Sequence, residues 1–200
     1  SEDGFWGSNT STLPITQLSE AAAKPESFIG IHFFSPVDKM PLIEIIMGEN
    51  TSDEALAKAF DFAQQIRKTP IVVNDSLGFF TSRTFGTYID EGAQLLVEGV
   101  HPVKIDSMGR AIGMPVGPLQ VADETSLELA RKAGETWAAM GVEDKWSNGD
   151  VMRRVIKDMV TENGRGGRHH GGGYYEYHAD GSKNIWPGLY DLYYNEQTYV

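Results

Sequence analysis

The chain predicts an α/β sheet portion followed by an all-α domain, and three observations carry that expectation. Short apolar runs, turn residues and one amphipathic stretch fill the first 75 residues. From about residue 78 to 164 the apolar residues recur at helical spacing, with no strand-like run among them. The change of pattern falls at Asn74-Asp75-Ser76-Leu77-Gly78, a cluster of residues that punctuate regular structure. The expected domains are therefore 1–76 and 77–200.

The elements follow in order. A helical span is expected between Ser8-Asn9-Thr10-Ser11-Thr12-Leu13 and Gly30. Phe28 to Phe34 and Leu42 to Ile46 are apolar runs joined by Ser35-Pro36-Val37-Asp38-Lys39-Met40-Pro41, and read as neighbouring strands. Thr51 with Glu54 forms a capping box. Leu56, Ala59, Phe60, Ala63 and Ile66 supply the apolar stripe of the helix it opens, and Arg67-Lys68 close it before Pro70. Ile71-Val72-Val73 is a further short strand. Strand, strand, helix, strand is the order of an α/β sheet.

Beyond Gly78, Phe80, Thr84, Tyr88, Leu95 and Leu96 define a helix that ends at Gly99. Pro102 opens a second, ending near Gly113. A third helical region runs from Pro118 to Met140 with a break around Asp123-Glu124-Thr125, and a fourth from Ser147-Asn148 to Gly164. Gly164 to Gly173 reads as a flexible loop leading into Tyr174-Tyr175-Glu176-Tyr177. Seven of the eight tyrosines lie at or beyond 174; between stacking on a base and packing against a partner, packing is expected, because Trp186, Leu189, Tyr190 and Leu192 lend the stretch apolar character.

Composition excludes several classes. The 200 residues are 40% hydrophobic, ordinary for a globular protein with a core. A net charge of −11 argues against a nucleic-acid footprint, which wants clustered Lys and Arg. With no cysteine there is no disulfide framework, thiolate catalysis or sulfur-ligated metal. No apolar run approaches the roughly 18 residues of a membrane helix, and the acidic Ser1-Glu2-Asp3-Gly4 lacks the positive region of a signal peptide. Neither a membrane span nor a metal is expected.

The chemistry-bearing feature is a histidine and a carboxylate, each in the middle of an apolar run. Glu44 stands twelve residues past His32. A buried carboxylate without a partner costs several kcal/mol, so the two are expected to meet across adjacent strands. An imidazole held by a carboxylate can move a proton near neutral pH. The competing reading is a structural ion pair. For Ser11 and Ser82 the competing reading is capping or turn chemistry. His169 and His170 lack a third ligand and read as a solvated loop, and Gly171 to Gly173 as a connection rather than a phosphate cradle.

Four segments in order, Ser8-Asn9-Thr10-Ser11, Gly30-Ile31-His32-Phe33-Phe34-Ser35-Pro36-Val37, Leu42-Ile43-Glu44-Ile45-Ile46 and Asn74 to Arg83, resemble the L-3-hydroxyacyl-CoA dehydrogenase family. Glu98 to Asp106, Pro115 to Pro118 and Gly172 to Tyr177 resemble the same family's helical domain. Ser35 to Met40 and the stretch from Ala179 to Gly188 look most like its multifunctional members in fatty-acid β-oxidation.

The resemblance implies the C-terminal half of a Rossmann-like NAD-binding domain over 1–76 and the family's helical domain over 77–200. It implies NAD-dependent oxidation of an L-3-hydroxyacyl-CoA to the 3-oxoacyl-CoA. By motif position His32 and Glu44 match the catalytic pair, and Ser11 and Ser82 the groups near the substrate oxygens. Ser35, with Asn9 as a loop-shaping neighbour, matches the nicotinamide end of the NAD site. Implied partners are the acyl-CoA substrate and a second copy or a thiolase subunit, in a bacterial cytoplasm or an organelle matrix.

Departures accompany the match. Ser82 stands where the family often has Asn, and His169 where it often has Lys. No Gly-x-Gly-x-x-Gly phosphate turn occurs in this sequence. The expectation is a piece of a larger enzyme with little or no turnover by itself. The rival readings are a noncatalytic helical dimerisation or assembly module, and a related dehydrogenase of another hydroxy acid.

Overall fold

In a computed structural model the structure describes residues 4–11, 13–141 and 149–194. Thr12 and the Ser147-Asn148 helix start lie outside the described residues. The chain divides into two compact units, the first running to Thr84 and the second beginning at Phe85.

The first unit holds a four-stranded sheet in the order β1-β2-β3-β4, made of β1 (Trp6–Ser8), β2 (Phe28–Phe33), β3 (Leu42–Met47) and β4 (Thr69–Asn74). β1 runs parallel to β2, β2 antiparallel to β3, and β3 parallel to β4. One short strand, β1, too short for a pattern, is an addition to the sequence reading, and the expected helical span holds only the five-residue α1 (Ile15–Ser19).

Both sheet faces are covered, which is why β2 and β3 read as apolar runs interrupted by a polar side chain only at His32 and Glu44. One face sets Ile29, Ile31, Ile43 and Ile45 against Ala59 and Ala63 of α2 (Asp53–Gln65). The other sets Ile46 with Ile15 of α1 and with Phe79. Gly30 is required there, because a Cβ would sit 2.8 Å from Ile15 and Ile46 side-chain atoms.

The capping box of α2 is corrected by one residue. Ser52 is the N-cap, its hydroxyl accepting from the Ala55 N–H at 3.2 Å. Thr51 instead donates to the Phe28 carbonyl at 2.7 Å, tying the helix entry to β2. Nor do Arg67 and Lys68 belong to the last helical turn. Arg67 is left-handed at φ 59°, and the Lys68 ammonium donates to the Val37 and Met40 carbonyls.

The second unit is helical, with α3 (Thr81–Val97) entering it from the first. α4 (Pro102–Ala111), α5 (Pro118–Thr125), α6 (Leu127–Ala139) and α7 (Gly149–Ile156) follow, the last continued by a π-helical turn over Lys157–Glu162. The break in the third region falls at Ser126, which takes a left-handed φ of 82° and caps α6 through the Leu129 N–H. The tail folds into a hairpin of β5 (Tyr175–Tyr177) and β6 (Lys183–Ile185), then α8 (Pro187–Tyr193); the sequence reading named none of these.

Within the expected loop, Gly167 and Gly172 pair with each other, and Arg165 donates to the carbonyls of Gly173 and Tyr175. Two buried carboxylates organise this unit. Asp106 accepts from the N–H groups of Leu119 and Gln120 and from the Tyr175 hydroxyl at 2.5 Å. Asp123 accepts from the Tyr174 and Tyr175 N–H groups and the Tyr177 hydroxyl. Burial nevertheless pushes the Asp123 carboxyl up to about 6, against those hydrogen bonds and the nearby Arg165.

Tyr174 is fully buried and its hydroxyl has no hydrogen-bond partner. A buried polar atom left unpaired costs ~1–3 kcal/mol. Tyr174→Phe removes only that atom and is expected to raise unfolding stability by about 1 kcal/mol, measured by chemical denaturation. A loss of stability would show that the hydroxyl finds a partner in solution.

Candidate active site

His32 and Glu44 occupy directly opposed positions of β2 and β3, so the sheet register alone brings them face to face. His32 Nδ1 lies 3.0 Å from Glu44 Oε2. Glu44 is fully buried and His32 is 7% exposed. Phe34 and Phe79 rings stand at 4.6 and 6.1 Å from the imidazole between centroids, holding it in a mostly apolar setting.

Three further donors complete the carboxylate. The N–H groups of Phe80 and Thr81 reach Oε1 at 2.9 and 3.0 Å, and the Thr81 hydroxyl reaches Oε2 at 2.6 Å. Glu44 therefore caps the N-terminus of α3 from a strand 36 residues earlier. The backbone aims those N–H groups through two consecutive left-handed residues, Gly78 at φ 69° and Phe79 at φ 48°. Glycine takes that conformation without cost; Phe79 is held in it by complete burial against Ile15 and Ile46.

Burial alone would raise the Glu44 pKa, but the bonds from His32, the Thr81 hydroxyl and the Thr81 and Phe80 N–H groups outweigh it. The carboxyl lies below its ordinary range and is ionised at neutral pH. An ionised Glu44 accepts the proton on His32 Nδ1, so the lone pair of a neutral ring sits on Nε2. The arrangement can take up and return one proton at Nε2.

The other expected site residues are in the same unit but are not bonded to this pair among the described residues. Asn9 and Ser11 follow β1, and Ser35 follows β2; these strands are parallel, so both loops leave the same edge. Asn9 accepts from the Phe33 N–H at 2.9 Å and so clips the two loop starts together. Ser35 is exposed, Ser11 is half-buried, and Ser82 is the second residue of α3, adjacent to Thr81.

Thr81 and Asp75 received no role from the sequence. Asp75 accepts from the N–H groups of Ile15 and Thr16 and from the Thr16 hydroxyl, at 2.6–2.9 Å. It fixes the start of α1, and with it the far end of the Ser11 loop. A hydroxyl at the first position of a helix was an available signal for Thr81; nothing near Asp75 in the sequence pointed to α1. His169, His170 and His178 are exposed; His101 is half-buried and caps α4 through Nδ1.

Comparison with known sequences decides the lineage. The profile described as 3-hydroxyacyl-CoA dehydrogenase, NAD binding domain, matches residues 1–76, and that described as the C-terminal domain matches residues 78–177. The chain belongs to the 3-hydroxyacyl-CoA dehydrogenase family. The fatty acid oxidation complex subunit alpha of Shewanella putrefaciens is 40% identical over 182 residues, 91% of this chain and 25% of that protein. Its namesake in Shewanella amazonensis is 39% identical over 193 residues, 96% of this chain and 26% of that protein. The chain thus spans about a quarter of the length of these curated relatives.

Among solved structures, the (S)-3-hydroxybutyryl-CoA dehydrogenase PaaH1 of Ralstonia eutropha aligns with a TM-score of 0.76 and 34% identity. That alignment covers 87% of this chain and 60% of that one. FadB2 of M. tuberculosis aligns with a TM-score of 0.77 and 26% identity, covering 89% and 62%. These relatives establish the α/β sheet followed by a helical domain as a family architecture. The curated relatives are named as subunits of a complex. Among the described residues no helix is long and apolar enough to cross a membrane.

Proposed function

We propose that this chain carries the proton-handling part of an NAD-dependent L-3-hydroxyacyl-CoA dehydrogenase acting in fatty-acid β-oxidation within a larger enzyme. The single observation that carries the reading is His32 Nδ1 at 3.0 Å from a buried, four-times hydrogen-bonded Glu44, which leaves Nε2 as the base.

The donor set fits one end of the cofactor. Exposed Ser35 follows the end of a strand parallel to its neighbour, where open α/β sheets bind ligands, and would hold the nicotinamide end, with Asn9 shaping the loop beside it. When bound, NAD supplies the acceptor for the C3 hydride. His32 Nε2 takes the proton of the 3-hydroxyl as the C3–O bond becomes a carbonyl, and returns it in reduction. Glu44 orients the ring and stabilises its positive charge. Ser11 and Ser82 position the substrate oxygens.

Domain limits of 1–76 and 77–200 follow the same reading, supported by the two profile matches. The compact units divide later, after Thr84, so that Phe80 and Thr81, which bind Glu44, fall in the first of them. A second copy or a thiolase subunit as partner is supported by the relatives' naming as complex subunits and by exposed Val103 and Met108 on α4 and Ile112 just past its end. Bacterial relatives support a cytoplasmic site.

The test joins residues 1–200 to the part of the Ralstonia eutropha enzyme that the alignment leaves uncovered and measures NADH formation. Turnover of 3-hydroxyacyl-CoA but not of free 3-hydroxy acids is expected, with little or none by residues 1–200 alone. Equal turnover of free acids would favour a related dehydrogenase, and no turnover in the joined protein an assembly module.

A further inference from the structure

We propose that Thr81 is a positioning residue of this reaction: its hydroxyl shares the Glu44 Oε2 atom with His32 and so holds down the proton affinity of the imidazole. The inference rests on the reading of His32 as the base. Oε2 receives two donors, the Thr81 hydroxyl at 2.6 Å and His32 Nδ1 at 3.0 Å. The hydroxyl contact lies at the short end of its range, whereas the imidazole contact is ordinary. Glu44 is fully buried, so its oxygens take their hydrogen bonds from protein groups.

A helix cap does not account for this hydroxyl. The N–H groups of Phe80 and Thr81 are already satisfied by Oε1. The Thr81 side chain points instead at the carboxylate, and at the oxygen that serves the imidazole. A carboxylate oxygen whose charge is divided between two donors stabilises an imidazolium less than one facing the ring alone. That division suits a reversible proton transfer. A base that grips the hydroxyl proton too tightly returns it slowly in the reverse direction, and the efficient base has its midpoint near the working pH.

The experiment follows the His32 ring Cε1–H resonance by NMR through a pH titration of residues 1–200. The resonance is assigned by its loss in His32→Gln. Thr81→Val and Thr81→Ala, which lack the hydroxyl, are expected to move the titration midpoint upward by about half a pH unit. Thr81→Ser is expected to titrate like the parent. An unmoved or lowered midpoint in either hydroxyl-free variant overturns the proposal, as does a Thr81→Ser midpoint that follows Thr81→Val. Amide spectra show which variants are folded, and Thr81→Ala decides if Thr81→Val is not. A purely structural threonine would change the unfolding midpoint while leaving the titration in place. Because the titration needs no turnover, its failure leaves the base reading standing. Activity surviving His32→Ala would remove the base reading instead.

Discussion

Replacing His32 with Ala is expected to lower kcat for 3-hydroxyacyl-CoA oxidation by ~10²–10⁴, the usual contribution of a positioned acid–base group. The geometry makes the effect specific to kcat. Glu44 engages Nδ1, so the ring's only basic atom is Nε2, and Ala removes it without touching Asn9, Ser11 or Ser35. KM for the acyl-CoA should change little. The comparison is steady-state kinetics of the joined protein with and without the substitution, at saturating NAD. Activity within about tenfold of the parent would end the assignment of His32 as the base, because no other histidine lies in the first unit.

The second large effect is at Glu44, where stability and catalysis are expected to separate. Glu44→Ala strips the partner from His32 and from the Phe80 and Thr81 N–H groups inside a buried site. It should cost about 3–5 kcal/mol of unfolding free energy, the usual cost of breaking a buried charged network. Glu44→Gln keeps the shape and one acceptor oxygen. Its amide nitrogen would face Nδ1, which could then accept only if the ring proton moved to Nε2. The base would carry its proton in the wrong place, and kcat should fall on the order of 10³–10⁴-fold with a much smaller loss of stability.

The pH dependence of stability follows from the same site. The folded Glu44 carboxyl has a lower pKa than its ordinary 4.5, so the unfolded chain binds that proton more readily. Its contribution to stability is present above 4.5 and is lost as the pH falls through the depressed folded value. Denaturation of Glu44→Gln should lack that component on the acid side. Parallel acid profiles for parent and variant would mean that the carboxylate is not held in solution as it is in the structure.

Helix starts show where the sequence was legible and where it was not. Ser52 could be approached from local spacing, because a serine capping its own helix sits a fixed three residues from the N–H it serves; the reading missed it by one residue. Glu44 for α3, Asp75 for α1 and Asp106 for α5 cap helices 36, 60 and 13 residues away, and local spacing contains no trace of them. The tyrosine-rich tail was readable as packing material from its apolar neighbours. Its hairpin was not, because three-residue strands are too short for alternation to register, and what holds the first of them is Asp123 on a helix 51 residues earlier.

Periodicity and burial cost told in advance that this chain is a short sheet followed by helices, and that a histidine and a glutamate in apolar runs need each other. Those conclusions depend only on near neighbours and on the penalty of an unpaired charge. Which ring nitrogen faces the carboxylate, and that a threonine and two amides share it, was decided by strand register and by the left-handed turn at Gly78 and Phe79. Such choices are made by groups that meet only when distant segments pack, so no spacing along the chain encodes them.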